Sequence, residues 1–528
     1  MTTERKTDLT LSRRGLMQGA AALGLGLTAG GLWLPKGALA AGPKRGGSIV
    51  AGISHGSTSD STVPGTYSHG LGILLSYTIH ARLTTVVPDN KLEGNLAESW
   101  EGSEGATKWK ITLRDAEFHN GKKVTPADVI ASINFHRTPD TTSVAKETVS
   151  NIKDIAADGD KVVVFTLNSG DADFPFLLND YQLCIGQADA DGAIDWEDDG
   201  RRAGPYRLTE YDPGIRAVVE RADNYWNSNV GFLDRAEILT IADPTARQNA
   251  LLAGEVDVID RPDTRALDII TANPELKVEE APGFRFYGFT VFTDVAPYSD
   301  QDFRLALKYA VDREALLDVA LNGHGIVGND QPITPAYRYY NPNIPQRQHD
   351  PDKAKFHLKK SGYDGAALDL STSVATFSTA VDAAALYQAN LAQVGINVNV
   401  VNEPADSYWS DVWLKKPFIT TDWGGRPTED MFFSVAFQKD APWNDSHFNN
   451  ERFEKLLVEA RAELDEAKRA EMYGEMQQIV HDEGGSITPL IPNNVWARST
   501  RIKHGEALST AYELDGWHFI SRWWVEEA

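Results

Sequence analysis

Cysteine is almost missing from this chain, which has a single one, Cys184, among its 528 residues. One thiol cannot form an intramolecular disulfide, so no disulfide framework supports this fold. A lone cysteine without a catalytic context is most often a small buried apolar group. Long runs dominated by apolar residues are also scarce, and the clearest one, GAAALGLGLTAGGLWL, lies near the N-terminus. We therefore expect no membrane-spanning segment after residue 41.

Basic residues are outnumbered as well. The chain has 51 Lys and Arg against 75 Asp and Glu, a formal net charge of -24. So large an excess of negative charge repels a phosphate backbone and argues against binding to nucleic acid or to anionic lipid. A well-solvated surface is the simpler explanation of the charge. With 42% hydrophobic residues, the length indicates a soluble protein of two or three domains.

The N-terminus has the parts of an export signal. The sequence SRRGLMQ places Arg13 and Arg14 before the uncharged stretch, and Ala38 and Ala40 form a small-x-small cleavage site. These features predict a twin-arginine signal peptide over residues 1–40, cleaved after Ala40, and a periplasmic protein. An uncleaved N-terminal anchor is the alternative.

Motifs for catalysis and metal binding are not evident. The sequence has no HExxH, CxxC or P-loop pattern, and its twelve histidines show no metal-ligand spacing. The G-x-G-x-x-G in NGHGIVG (322–328) follows a helical pattern rather than a strand, which indicates a loop rather than a dinucleotide site. We therefore predict no enzyme, no catalytic residue, no metal and no cofactor, although nothing in the sequence excludes an enzyme outright.

Hydrophobic periodicity alternates between strand and helix along the chain. KWKITLR (108–114) has the alternation of a half-buried strand, and TPADVIASINFH (125–136) begins a helix with Thr125 as N-cap and Pro126 in the first turn. DFRLALKYAVDREALLDVAL (302–321) has the period of one long amphipathic helix. This alternation predicts α/β architecture.

Several segments together resemble a known family. They are LAESWEGSEGATKWKITLRDAEFHNGKKVTPADVIASINF (96–135), AGPYRLTEYDPGIRAVVERADNYW (203–226), TARQNALLAGEVDVI (245–259), FRLALKYAVDREALL (303–317) and DPDKAKFHLKKSGY (350–363). In this order they resemble the extracellular solute-binding proteins of family 5, the dipeptide, oligopeptide and nickel receptors of ABC importers. The resemblance extends over essentially all of residues 46–528.

The resemblance implies a fold and a domain organisation. The fold is a two-lobed periplasmic binding protein of type II, a Venus flytrap, with an extra domain inserted in the first lobe. The implied ranges are 42–75, 203–282 and 495–528 for lobe one, 76–202 for the inserted domain and 283–494 for lobe two. Such a protein is a monomer that closes on its solute, docks on the membrane permease and does no chemistry.

Two loops are the candidate ligand contacts, because ligands of such folds bind at strand ends. The first, GTYSHG (65–70), supplies Tyr67, Ser68 and His69. The second, DWGGRPTED (422–430), supplies Asp422, Trp423, Gly424, Gly425 and Arg426. Its glycines allow close approach to the backbone. Trp423 offers an apolar face with one N–H donor, and Trp409 and Trp443 are candidate walls that could equally be core aromatics.

Arg426 departs from the family pattern. In the peptide-binding members, an acidic residue usually follows the Trp-x-Gly unit and holds the peptide's ammonium group. A guanidinium at that position repels an ammonium and forms a forked pair with a carboxylate or phosphate. We expect Arg426 to anchor an anionic group of the solute. The alternative is that Arg426 pairs with Glu429 or Asp430 and never meets the solute.

The sequence thus favours a periplasmic receptor of a peptide-type ABC importer. Its solute is expected to be a short peptide bound in a non-standard way, or an opine-like or other carboxylated amino-acid derivative. Two alternatives use the same fold: an exported hydrolase, and a stand-alone sensor or chaperone-like binding protein that has no permease.

Overall fold

The computed structural model describes residues 43–68 and 70–526. The twin-arginine pair Arg13 and Arg14, the cleavage site after Ala40, and His69 lie outside the described residues. From Pro43 onward the chain forms one compact unit. No helix within the described ranges is long and apolar enough to span a membrane.

The secondary structure of these ranges is mixed. Strands lie at Ser48–Ile53, Thr84–Val87, Lys91–Gly94, Ala97–Ser103, Lys108–Leu113, Ile152–Asp158, Val162–Leu167, Tyr206–Asp212, Arg216–Arg221, Arg235–Thr240, Val258–Asp260, Leu276–Pro282, Phe286–Val291, Gly325–Val327, Leu368–Thr372, Val398–Asn402, Phe418–Trp423, Ser486–Ser499, Ile502–Lys503 and Trp524–Val525. Helices lie at Gly70–Ile79, Pro126–Phe135, Phe174–Leu177, Pro244–Leu252, Leu267–Thr271, Gln301–Ala310, Arg313–Leu321, Pro351–Ser361, Ala380–Val394, Tyr408–Asp411, Glu429–Ala436, Glu451–Ala462, Glu466–Glu483, Glu513–Gly516 and Phe519–Arg522.

One long strand, Ser486–Ser499, joins the two halves of a 12-stranded sheet. Its first half pairs antiparallel with Phe286–Val291 and Gly325–Val327. Its second half pairs antiparallel with Val258–Asp260 and Leu276–Pro282. A single backbone therefore carries hydrogen bonds to both halves of the sheet.

Each half of the sheet contains parallel strand pairs. Ser48–Ile53 runs parallel to Arg235–Thr240 and to Val258–Asp260. In the other half, Leu368–Thr372 runs parallel to Val398–Asn402. Parallel neighbours need crossover connections, and helices such as Ala380–Val394 supply them here. The predicted α/β class is confirmed.

A separate four-stranded antiparallel sheet lies within the region predicted as an inserted domain. Its order is Ala97–Ser103, Lys108–Leu113, Val162–Leu167, Ile152–Asp158. The helix Pro126–Phe135 packs beside it and starts as the sequence predicts. Thr125 and Asp128 form a capping box, and Pro126 occupies the first turn.

Buried apolar side chains group by chain segment. One cluster of buried residues lies within 81–203, and two lie within 286–491. Two more clusters draw their buried residues from 49–79, 206–270 and 495–525. This grouping follows the order of the predicted lobes and inserted domain, whose boundaries stay a prediction.

The single helix predicted over 302–321 is two helices, Gln301–Ala310 and Arg313–Leu321. The break falls at Val311, whose backbone is extended, with φ -73° and ψ 119°. Asp312 then caps the second helix by accepting a hydrogen bond from the backbone N of Ala315 at 3.1 Å. The apolar period continues through the break, so periodicity alone could not reveal it.

A buried carboxylate ties the second helix to the sheet. Asp330 accepts hydrogen bonds from Arg313 Nη2 at 2.8 and 2.7 Å and from Arg347 Nε at 2.8 Å. It also accepts one from the backbone N of Thr488 in the long strand. Burial alone would raise the pKa of Asp330, but the charges of Arg313 and Arg347 outweigh burial and lower it.

We expect Asp330→Asn to lower the free energy of unfolding by about 3–5 kcal/mol, because it leaves two buried guanidinium groups uncompensated. The carboxylate stabilises the fold above about pH 4, the pKa of an unfolded aspartate, and this stabilisation is lost as the pH falls through the lower pKa of the folded protein. Urea unfolding at pH 7 measures the loss.

The matched control is Asp318→Asn, on the exposed side of the same helix. It should change stability by no more than about 0.5 kcal/mol. Equal unfolding midpoints for the two variants would contradict the assigned role of Asp330.

Candidate functional site

The candidate site is a cavity of about 620 Å³ where segments from many parts of the described chain meet. This size is within the usual range for small-molecule sites. Its walls come from residues within 77–90, 176–181, 261–264, 284–287, 336–338, 424–431, 492–495 and 509–518. Residues 492–495 belong to the long strand that joins the two halves of the sheet.

The loop after the strand Phe418–Trp423 forms one wall. Gly424, Gly425 and Arg426, three of the predicted ligand contacts, line the cavity. The loop ends where Thr428 caps the helix Glu429–Ala436 by accepting a hydrogen bond from the backbone N of Met431. The strand and the capped helix thus fix both ends of this short loop.

Arg426 is held by its own loop and by a tyrosine. Its backbone N donates to the hydroxyl of Tyr337 at 3.0 Å. Its Nη1 donates to the carbonyls of Gly424 and Gly425 at 3.2 and 3.0 Å. The guanidinium lies 5.4 Å from the centre of the Trp443 ring. Its Nε and Nη2 donate to no other described residue and stay available to a ligand.

Arg426 pairs with neither of the acidic residues considered as partners. Asp430 accepts hydrogen bonds from Arg461 Nε at 3.0 and 3.2 Å. Glu429 accepts from the backbone N of Tyr339. Burial lowers the pKa of Arg426, and no carboxylate opposes that shift. The loop therefore presents a half-buried cation without an acidic partner among the described residues.

Three further arginines line the cavity, and each is already neutralised. Arg261 contacts Glu513, Arg285 Nη1 lies 3.3 Å from Asp422 Oδ2, and Arg338 Nη2 lies 2.7 Å from Asp173 Oδ1. The contrast singles out Arg426 as the cavity arginine that lacks a carboxylate.

Neither Asp422 nor Trp423 lines the cavity. Burial raises the pKa of Asp422 to about 6, and Arg285 opposes the shift. Trp423 is buried and donates its indole N–H to Asp445 Oδ2 at 2.9 Å. Strand residues alternate between faces, so the two could not both face the cavity. The predicted N–H donor of Trp423 is already satisfied within the protein.

Trp409 and Trp443 also lie off the cavity lining. They are 43% and 41% exposed and pack edge-to-face on Trp413, with ring centroids 5.7 and 5.9 Å apart. Trp443 nevertheless supports the guanidinium of Arg426 from outside the cavity.

The described residues of the first predicted loop do not line the cavity either. Tyr67 is buried in a small cluster with Cys184 and Trp196, and its hydroxyl donates to the carbonyl of Thr62 at 2.9 Å. Ser68 is exposed and does not line the cavity. Cys184 is buried as predicted, and burial raises the pKa of its thiol.

Sequence reasoning missed several cavity residues: Arg261, Arg285, Arg338, Asp180 and Tyr512. Arg285 immediately precedes the strand Phe286–Val291, and this position at a strand end is a signal that could have found it. The other four are separated along the chain, and only the folded chain brings them together. Within the described ranges, no group of three His, Cys, Asp or Glu residues is arranged to hold a metal.

Comparison with known proteins agrees with this geometry. The sequence profile of the bacterial extracellular solute-binding proteins, family 5 Middle, matches residues 91–467. The chain is 28% identical to heme-binding protein A of Haemophilus influenzae over 442 residues, covering 76% of this chain and 78% of that protein. It is 25% identical to the dipeptide-binding protein of Escherichia coli over 448 residues, covering 76% and 80%.

Solved structures share the fold. HbpA2 from Haemophilus parasuis has a TM-score of 0.79 at 21% identity, covering 91% of this chain and 100% of that one. AgaA from A. tumefaciens R10, in complex with agropinic acid, has a TM-score of 0.67 at 25% identity, covering 91% and 99%. The predicted fold, a two-lobed periplasmic binding protein of type II, is confirmed.

The two cavity glycines should respond differently to alanine. A Cβ on Gly425 would lie 1.9 Å from the Cβ of Phe284, whereas a Cβ on Gly424 meets no described atom within 4 Å. We expect Gly425→Ala to lower stability by roughly 1–3 kcal/mol through overpacking and Gly424→Ala to leave it unchanged. Thermal unfolding of both variants measures this, and indistinguishable midpoints would refute the assigned packing.

Proposed function

The chain belongs to the bacterial extracellular solute-binding proteins of family 5, and we propose that it captures a small solute that carries an anionic group in the periplasm and delivers it to an ABC permease. The relatives named above are solute-binding proteins, not enzymes, and they include a dipeptide receptor. A peptide-type importer is therefore the system in which this receptor acts.

The unpaired guanidinium of Arg426 is the observation that carries this proposal. A cation that is partly desolvated and lacks a counter-charge costs free energy, which a bound carboxylate or phosphate recovers. Two free nitrogens, Nε and Nη2, point in one plane and match the two oxygens of such a group. An ammonium group at the same place would be repelled.

The solute is proposed to be a short peptide bound in a non-standard way or a carboxylated amino-acid derivative. A cavity of about 620 Å³ accommodates molecules of this size. The neighbour AgaA is described with agropinic acid, an acidic small molecule. That likeness supports an acidic ligand without identifying it.

Capture is proposed to work by closure of two lobes around the solute. The cavity walls come from both sides of residues 492–495, so one solute can touch segments that pair with different halves of the long strand. A ligand that contacts both sides favours the closed state by its differential affinity. A closed monomer then docks on the permease.

A stand-alone sensor or chaperone is the second candidate function, since the same cavity would bind a solute whether or not the protein delivers it to a permease. The presence of genes for a permease and an ATPase next to the gene of this protein would favour the importer. Loss of uptake on deleting those genes would decide for it.

We predict that Arg426→Gln lowers the affinity for the native solute by about 30-fold or more, because the charge-assisted pair between the guanidinium and the anionic group of the solute is lost. The protein is purified without denaturation, and native mass spectrometry identifies the small molecule that co-purifies. Calorimetry with that compound then compares the variant with the wild type.

The matched control is Arg452→Gln, which removes an exposed arginine that pairs with Glu475 on the surface. It should leave the affinity unchanged. Wild-type affinity in Arg426→Gln, or a co-purifying compound without an anionic group, would refute the proposed function.

Export is proposed to use the twin-arginine route, since SRRGLM precedes the uncharged stretch. Replacing Arg13 and Arg14 together by lysine should abolish export while leaving the cytoplasmic protein able to bind its solute. Cell fractionation and immunoblotting measure this. Unchanged periplasmic accumulation would show that another route is used.

A further inference from the structure

We propose that the solute is dipolar and that Asp180 binds its protonated amino group while Arg426 binds its anionic group. This inference rests on the proposed function, because it takes the cavity as the solute site. It adds a second specificity-determining residue and narrows the solutes to compounds that have both a free amine and a carboxylate or phosphate.

Asp180 is a cavity residue whose carboxylate is held in place by its own turn. Its Oδ1 accepts a hydrogen bond from the backbone N of Gln182 at 2.8 Å. The backbone N of Leu183 donates to the carbonyl of Asp180 at 2.9 Å. The first bond holds the side chain and the second holds the backbone of the turn, so the carboxylate is pre-organised at the cavity wall.

No cation within the described residues forms an ion pair with Asp180. The buried cation that acts on it electrostatically is Arg82. Arg82 Nη1 donates to the carbonyl and the hydroxyl of Ser76, both at 3.0 Å, and the guanidinium stacks 4.2 Å from the centre of the Tyr77 ring. Arg82 is therefore committed elsewhere and leaves the carboxylate open to a ligand.

The ionisation of Asp180 fits this role. Burial raises the pKa of the carboxyl to about 6, and Arg82 opposes the shift. The group is therefore ionised at neutral pH but poorly solvated. Such a carboxylate gains more from a cationic ligand group than an exposed one does.

The other carboxylates of the cavity lining are already used. Glu513 contacts Arg261, and Glu429 accepts the backbone N–H of Tyr339 at the start of its helix. Glu429 has no ion-pair partner among the described residues either, but burial raises its pKa to about 7, so it is only partly ionised at neutral pH. Asp180 is therefore the mainly ionised cavity carboxylate without a counter-charge, and Arg426 is its counterpart of opposite sign.

A single small molecule can reach both groups. Tyr512 lines the cavity and interacts electrostatically with Arg426 and with Asp180. Both charges therefore lie near one tyrosine. A purely anionic solute would satisfy Arg426 but leave Asp180 desolvated and repelling it.

The test uses a defined mixture of dipeptides and N-carboxyalkyl amino acids in three forms: untreated, amine-acetylated and carboxyl-methylated. The full-length mature protein is incubated with each form, and native mass spectrometry measures which compounds are retained. We expect the wild type to retain members of the untreated mixture and none of the acetylated one, because acetylation removes the positive charge.

The variant Asp180→Asn should retain the untreated compounds at least about 30-fold less strongly. The control is Asp189→Asn, because Asp189 also accepts backbone N–H bonds in a turn but is exposed and away from the cavity. It should match the wild type. If Asp180→Asn is unfolded by thermal melting, the acetylated mixture on the wild type decides the question alone.

The outcomes separate this inference from the proposed function. Retention of acetylated but not methylated compounds overturns the role of Asp180 and leaves that of Arg426 standing. Retention of methylated but not acetylated compounds overturns the anionic anchor and supports the amine site. Retention of both modified forms, or of no untreated compound, overturns both proposals.

Discussion

The hydrogen bonding of one strand, Ser486–Ser499, is the constraint on which the cavity depends. Its residues pair with Phe286–Val291 on one side and with Val258–Asp260 on the other, so the two halves of the sheet share one backbone. Residues 492–495, near the point where its partners change, form part of the cavity wall. Any movement of one half of the sheet against the other must therefore involve residues that line the cavity. The proposed solute site and the strand that joins the two halves of the sheet coincide for this reason.

Charge in the cavity follows a simple pattern built on this scaffold. Three arginines reach the cavity already neutralised by carboxylates, which stabilises the walls without committing them to a ligand. Arg426 and Asp180 are exceptions of opposite sign. Because both are desolvated by the protein rather than by a partner, their free energy improves only when something enters the cavity. In the proposed binding mode, recognition is thus concentrated in two side chains, while the rest of the lining supplies shape.

The sequence predicted the fold class and the loop that carries Arg426, because strand and helix periods and the order of family-like segments are local properties. Side-chain direction at the end of a strand was harder to predict. Trp423 and Asp422 precede the cavity residues but turn to Asp445 and Arg285. Asp180 could not be predicted from the sequence. It stands out because it lacks an ion-pair partner, and this can be seen only in the folded chain, where residues far apart in the sequence come together. The break at Val311 was hidden for a different reason: the capping aspartate falls within an uninterrupted apolar period.

The shape of the Arg426 loop comes largely from groups other than the arginine side chain. Gly425 lies against Phe284, and the hydroxyl of Tyr337 accepts the backbone N–H of residue 426, which every amino acid except proline possesses. Different side chains can therefore occupy position 426 with little change in the surrounding fold. A single substitution at this position can therefore reverse the preference of such a receptor between cationic and anionic solutes. Ligand specificity among receptors of this fold can change faster in evolution than the fold itself.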